Sequence, residues 1–149
     1  MRKKVVFFIP SGCGGAERQA IVISKCLRDE DFDVSYHIFG PNNQLEKFLP
    51  DNRKWVFHKE PKFTHNLIRN MRKVIKREKP DVVYGAGMPV NWRLIIASFF
   101  LKCKVILRNE NYLYTQSFTQ KLRLALTYPF ADYIIAQTDE MRDGLIKGL

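Results

Sequence analysis

The chain is expected to fold as a doubly wound α/β protein, with a parallel sheet between two layers of helices. Six short runs rich in β-branched and aromatic residues alternate with helical patterns along its length. These runs are apolar almost throughout, as strands covered on both faces must be. A glycine-rich turn joins the first run to the first helical stretch, and strict alternation implies right-handed crossovers.

Val5-Val6-Phe7-Phe8-Ile9 is the first strand, and Pro10-Ser11-Gly12-Cys13-Gly14-Gly15-Ala16-Glu17-Arg18 turns it into a helix. Ala16, Ala20, Ile23, Ser24 and Leu27 make a stripe at helical spacing, and its alanines let the helix lie close to the sheet. Further strands are expected at Val34 to Phe39, Trp55 to His58, Asp81 to Gly85, Lys104 to Arg108 and Asp132 to Gln137. Between them fall a short helix near Gln44 to Leu49 and longer ones at Thr64 to Glu78, Val90 to Leu101, Thr115 to Tyr128 and Asp139 to Lys147. Lys79-Pro80-Asp81 ends a helix and opens a strand, because proline cannot continue a helix and restricts its predecessor. Thr138 is placed to cap the last helix, with Asp139 and Glu140 at its positive end.

A glycine turn at the start of a helix suits an anion. The helix offers free N–H groups and the positive end of its dipole, and glycine lets a ligand approach the backbone closely. The same turn could also serve only to pack helix against sheet. Two well-known phosphate loops do not fit it. A P-loop needs Gly-Lys-Ser/Thr, whereas Gly15 is followed by Ala16 and Glu17; a dinucleotide loop needs a third glycine where Glu17 stands. The second strand ends in Gly40-Pro41-Asn42-Asn43, with no carboxylate for a ribose, which disfavours a nicotinamide cofactor.

With 149 residues and 46% hydrophobic composition, one domain with a sizeable core is expected. The longest apolar run, Leu94 to Leu101, is too short to span a bilayer, and no signal peptide is read at the start, so a cytoplasmic protein is expected. Cys13, Cys26 and Cys103 lack metal-ligand spacing and read as reduced thiols. The formal net charge of +10 points to an acidic partner. Much of it gathers between Lys62 and Lys79, where Leu67, Ile68, Met71, Val74 and Ile75 define an apolar face opposite a basic one. Arg69, Arg72, Lys73 and Lys76 on that basic face are candidates for meeting an anionic membrane; the alternative is a solvated outer face. His37, His58 and His65 do not cluster in the sequence, no carboxylate pair stands in an acid/base arrangement, and neither a metal nor a cofactor is implied.

Four blocks in order, Gly14 to Arg18, Lys79 to Gly85, Val105 to Asn111 and Ala131 to Thr138, make the chain resemble the N-terminal half of glycosyltransferase family 4. The resemblance implies a Rossmann-like domain, residues 1–149, forming one half of a two-domain GT-B enzyme. It also implies a retaining transfer from a nucleotide-sugar to a glycan or lipid-linked acceptor in polysaccharide or lipopolysaccharide assembly, beside the membrane. The donor domain would lie outside this chain, which alone is expected to be inactive.

By the same resemblance, Gly14 and Gly15 approach the donor phosphates, with Glu17 and Arg18 beside them. Gly87, Met88, Asn91, Arg108, Glu110 and Asn111 fall at acceptor positions; many relatives carry histidine near Arg108 to Asn111, so this chain departs from the pattern there. The competing readings are a nucleic-acid-binding module using the basic helix, for which no recognition motif is present, and a stand-alone α/β ligand-binding domain.

Overall fold

The computed structural model describes residues 2–60, 65–112 and 115–148. Lys62, Thr64 and the side chain of His65, which entered the expectations above, lie outside the described residues.

Six strands form one parallel sheet: β1 (Lys3–Pro10), β2 (Phe32–Gly40), β3 (Lys54–Lys59), β4 (Val82–Ala86), β5 (Lys104–Asn109) and β6 (Tyr133–Ala136). Their order across the sheet is β3-β2-β1-β4-β5-β6, with every neighbouring pair parallel. Among the described residues the α-helices are α1 (Gly15–Lys25), α2 (His65–Glu78), α3 (Met88–Ser98), α4 (Phe118–Thr127) and α5 (Asp139–Gly148). The short segment expected near Gln44 to Leu49 is a single 3₁₀ turn, Glu46–Phe48.

Strand alternation divides the core in two. Val6 and Phe8 of β1 point to one side, where they meet Leu67, Met71, Val74 and Ile75 of α2 and Val90, Leu94 and Ile95 of α3. Val5, Phe7 and Ile9 point to the other, where Ala20 and Ile21 of α1 cover them with Leu45 and Leu49. Phe7 and Phe8 are almost wholly buried, and burying one such side chain stabilises the fold by roughly 1.5–3 kcal/mol.

Helix ends differ from the expected bounds for local reasons. The fourth helix was expected from Thr115 but starts at Phe118, because Ser117 and Gln120 form a reciprocal capping box. α3 starts earlier than expected, at Met88, with Pro89 in its first turn, and stops at Ser98 before Phe100 turns to a positive φ of 61°. Thr138 Oγ1 accepts from the Met141 N–H, as expected of a cap.

The chain's progression across the sheet reverses at the boundary between β1 and β4. The chain leaves β1 through α1 on one face and leaves β4 through α3 on the other, so the two strand ends part and open a crevice between them. In open α/β sheets that crevice is where ligands bind.

Candidate active site

The crevice is built by three strand ends. β1 delivers Pro10 to the glycine turn, and β4 ends in Ala86 before Gly87 caps α3. β5 runs out through Asn109 into Glu110 and Asn111. Gly87 adopts φ +111°, a backbone state that favours glycine, and a Cβ there would meet Glu110 Oε1 and Pro10 Cγ, each at 3.3 Å. The three strand ends therefore touch one another through glycine.

Within the turn, Glu17 folds back over the loop. A Cβ added to Gly14 would come within 2.7 Å of Glu17 Oε2, and one on Gly12 within 3.3 Å of Oε1. Gly15 differs: a Cβ there would meet nothing within 4 Å, so open space lies before the first turn of α1. Gly14 has an extended backbone, ψ −179°, and caps α1 with no side-chain bond. No side chain of the cap thus occupies the free N–H groups there. Beside this turn, Pro10, Ser11, Gly12 and Glu17 line a cavity of about 270 Å³ together with Pro41 and Gln44.

Glu110, beside Gly87 at the crevice, has its carboxyl held above the usual carboxylate range. Burial is the main cause, and the negative charge of Glu17 adds to it; the Met88 N–H and the Arg108 guanidinium pull the other way. The crevice therefore holds two carboxylates close enough to influence each other. Nothing in the spacing points to this pair, since the two residues lie far apart in the chain and only the strand order brings them together.

The other expected site residues separate into two groups. Gly14, Gly15 and Arg18 are exposed, while Glu17, Met88, Glu110 and Asn111 are half-buried at the crevice. Asn91 and Arg108 are buried and committed to the protein itself. Asn91 Nδ2 donates to the Arg108 carbonyl at 2.8 Å and to the Tyr128 hydroxyl at 3.3 Å. Arg108 donates to the Ala16 carbonyl at 3.2 Å and to Gln19 Oε1, fastening α1 to the end of β5. Both shape the crevice from behind. Asn109 Nδ2 donates to the Asn111 carbonyl at 2.7 Å, which shapes the loop after β5.

On α2, Arg69, Lys73 and Lys76 are exposed, but Arg72 is not free. Its guanidinium donates to the Ala97 carbonyl at 3.0 Å and the Phe99 carbonyl at 2.8 Å, closing the C-terminal end of α3. That end is the far end of α3 from the crevice, about 16 Å away by the rise of the helix.

His37 and His58 serve inside the fold, outside the crevice. His37 Nε2 donates to Glu78 Oε1 at 2.8 Å, which leaves His37 Nδ1 to accept from His58 Nε2 at 2.7 Å. Burial lowers both histidines, His58 to about 4, with the His37 and Arg77 charges adding to the effect at His58. Burial pushes Glu78 up, yet the hydrogen bond from Arg77 and the neighbouring His37 and Lys4 hold it below the ordinary carboxylate range. Among the described residues, no group of three or more metal-ligating side chains occurs, and no helix is long and apolar enough to cross a membrane.

A sequence profile of Glycosyltransferase Family 4 matches residues 13–149. The chain belongs to this family. The match takes in the glycine turn from Cys13 onward and the ends of β4 and β5. In family 4 terms, the crevice is that of a Rossmann-like, three-layer half of a GT-B fold, as the resemblance implied.

The chain is 31% identical to the UDP-N-acetylglucosamine–N-acetylmuramyl-(pentapeptide) pyrophosphoryl-undecaprenol N-acetylglucosamine transferase of Borreliella burgdorferi, over 70% of this chain and 33% of that protein. It thus spans about a third of the length of that relative. In fold it resembles HepE of Anabaena, solved with UDP and glucose, at TM-score 0.76 and 21% identity over 99% of this chain and 41% of that one. A UDP-N-acetylglucosamine 2-epimerase is similar at TM-score 0.70 and 21% identity, over 99% and 45%.

Proposed function

We propose that this family 4 chain is the acceptor-side domain of a glycosyltransferase that moves a sugar from a nucleotide-sugar to a lipid-linked glycan acceptor. The open space off Gly15, at the start of α1 in a crevice that also holds Glu17 and Glu110, carries this reading. A diphosphate seated there would meet the helix N–H groups and the positive end of the dipole, and this stabilises the negative charge that grows as it departs. Glu17 and Glu110 border the same crevice and would orient the hydroxyl of the acceptor.

The relative named as acting on a pyrophosphoryl-undecaprenol acceptor favours a lipid-linked substrate. A second domain, carried by the remaining two-thirds of such a protein, would hold the nucleotide. The sugar would be transferred with retention, in the assembly of a bacterial surface glycan, with the enzyme held peripherally on the inner face of the membrane.

The test is transfer of labelled sugar by the full-length protein to lipid-linked acceptors, with the anomeric configuration read by NMR. Product with a retained anomer is expected. An inverted anomer would overturn retention alone, and turnover of nucleotide-sugars without any transfer would overturn the proposal.

A further inference from the structure

The cavity of about 270 Å³ beside the glycine turn lies on its β2 side, where Gly40 runs into Pro41, Asn42 and Gln44. Main-chain bonds fix its walls. The Ser11 N–H donates to the Phe39 carbonyl at 2.8 Å, and the Gln44 N–H donates to the Ser11 carbonyl at 3.4 Å. A Cβ at Gly40 would collide with the Ser11 hydroxyl, so glycine lets the ends of β1 and β2 close on each other.

Four polar side chains line this space: Ser11, Glu17, Asn42 and Gln44. Among the described residues, none of them makes a hydrogen bond through its side chain. Ser11 is only 5% exposed, and a hydroxyl so far removed from water costs free energy until it gains a partner. The cavity is the space from which that partner can come.

The character of the ligand follows from the lining. Glu17 is the one charged side chain there, and no cation accompanies it, so a diphosphate is repelled. A hydroxyl, a carboxylate and two amides instead suit neutral groups that both donate and accept, and the rings of Pro10 and Pro41 offer an apolar edge. The volume equals roughly nine water molecules at ~30 Å³ each, room for one sugar ring rather than a nucleotide-sugar.

We infer that this cavity binds one neutral sugar ring of the acceptor, with Asn42 and Gln44 selecting the hydroxyls it accepts. This rests on the acceptor-side reading in taking the sugar to belong to the acceptor. Glu17 joins the cavity to the crevice, since its carboxylate lies against Gly12 and Gly14 and its charge reaches Glu110. A ring seated here is one side chain away from the carboxylate pair.

The experiment is saturation-transfer NMR of the full-length protein with the methyl pyranosides of glucose, galactose, mannose and N-acetylglucosamine, without donor, followed by acceptor kinetics. Wild type, Asn42→Ala, Gln44→Ala, the double variant and Glu46→Gln are compared, with thermal melting as the control for folding. Asn42 and Gln44 are exposed, so their loss should leave the melting temperature unchanged; Glu46 is exposed on the same segment but does not line the cavity. One glycoside should bind in preference to the others, about tenfold more weakly in the double variant and normally in Glu46→Gln. With the acceptor, the double variant should raise KM about tenfold while kcat and the KM for donor stay at wild-type values. Binding by none of the glycosides, or binding and acceptor KM indifferent to both amides, would overturn the inference. Glycoside binding that needs Asn42 and Gln44 in a protein without transfer activity would support the sugar site and overturn the acceptor-side reading alone.

Discussion

Glu110 titrates in the field of Glu17: the end of β5 and the first turn of α1 bring the two carboxylates together across the strand-end crevice, and Glu110 is held above its ordinary range. Replacing Glu17 with Gln removes the like charge, and the Glu110 carboxyl should then titrate lower, as followed by carboxyl ¹³C NMR. An unchanged titration would show that burial alone sets it. Because the folded-state value is raised, Glu110 favours the fold in acid and loses that contribution as pH rises through its folded value. Glu110→Gln should therefore raise the melting temperature at pH 7 relative to wild type, have little effect near pH 4, and reduce transfer by the full-length enzyme.

Gly15 and Gly87 answer different questions when changed to Ala. No atom opposes a Cβ at Gly15, and alanine suits a helix, so Gly15→Ala should melt at or slightly above the wild-type temperature while nucleotide-sugar turnover by the full-length enzyme falls. Gly87→Ala meets both a positive φ and close neighbours, and should cost about 1–3 kcal/mol in urea unfolding. Unimpaired turnover in Gly15→Ala would remove this glycine from the donor site.

Arg72 and its neighbours on α2 separate charge from structure. Arg72→Gln withdraws a charged donor from the Ala97 and Phe99 carbonyls and should lower stability by roughly 1.5–3 kcal/mol. Lys73→Gln, on the exposed side of the same helix, should stay within about 0.5 kcal/mol of wild type. Chemical denaturation of the two variants reads this directly.

The His37–His58 pair predicts acid sensitivity. His58 is neutral in the folded protein down to about pH 4, whereas its unfolded form takes a proton near 6.5. Its contribution to stability is fully present above pH 6.5 and is lost as pH falls towards 4. Urea midpoints should decline across that interval in wild type and decline less in His58→Gln. Parallel curves would show that other groups govern the acid limb.

Much of the fold was legible because its signals are local. The apolar runs at Val5 to Ile9 and Val34 to Phe39, the stop at Lys79-Pro80 and the cap at Thr138 each encode their element within a few residues. α4 starts at Phe118 rather than Thr115 because the Gln120 side chain reaches back to the Ser117 N–H at 2.9 Å and closes a capping box there, a contact the helical spacing does not encode. The site was legible only in part. Gly14, Gly15 and Glu110 stand at strand ends, where a topological rule directs attention. The buried duties of Arg108, Asn91 and Arg72 arise from contacts across the fold, and a polar residue in a sequence does not reveal whether it faces a ligand or a distant carbonyl. The partnership of His37 with His58 depends on β2 lying beside β3, which spacing alone does not specify.

The bond from Arg108 to the first turn of α1 makes two sides of the crevice move as one frame. Glu110 is only two residues beyond that guanidinium, so a displacement of the glycine turn would be passed along a short lever to the carboxylate opposite. On the proposed reading, occupancy of the glycine turn would be felt at Glu110 without any large hinge. Lengthening or slackening that one strut would let the two halves of the site fall out of step while the rest of the sheet stayed unchanged.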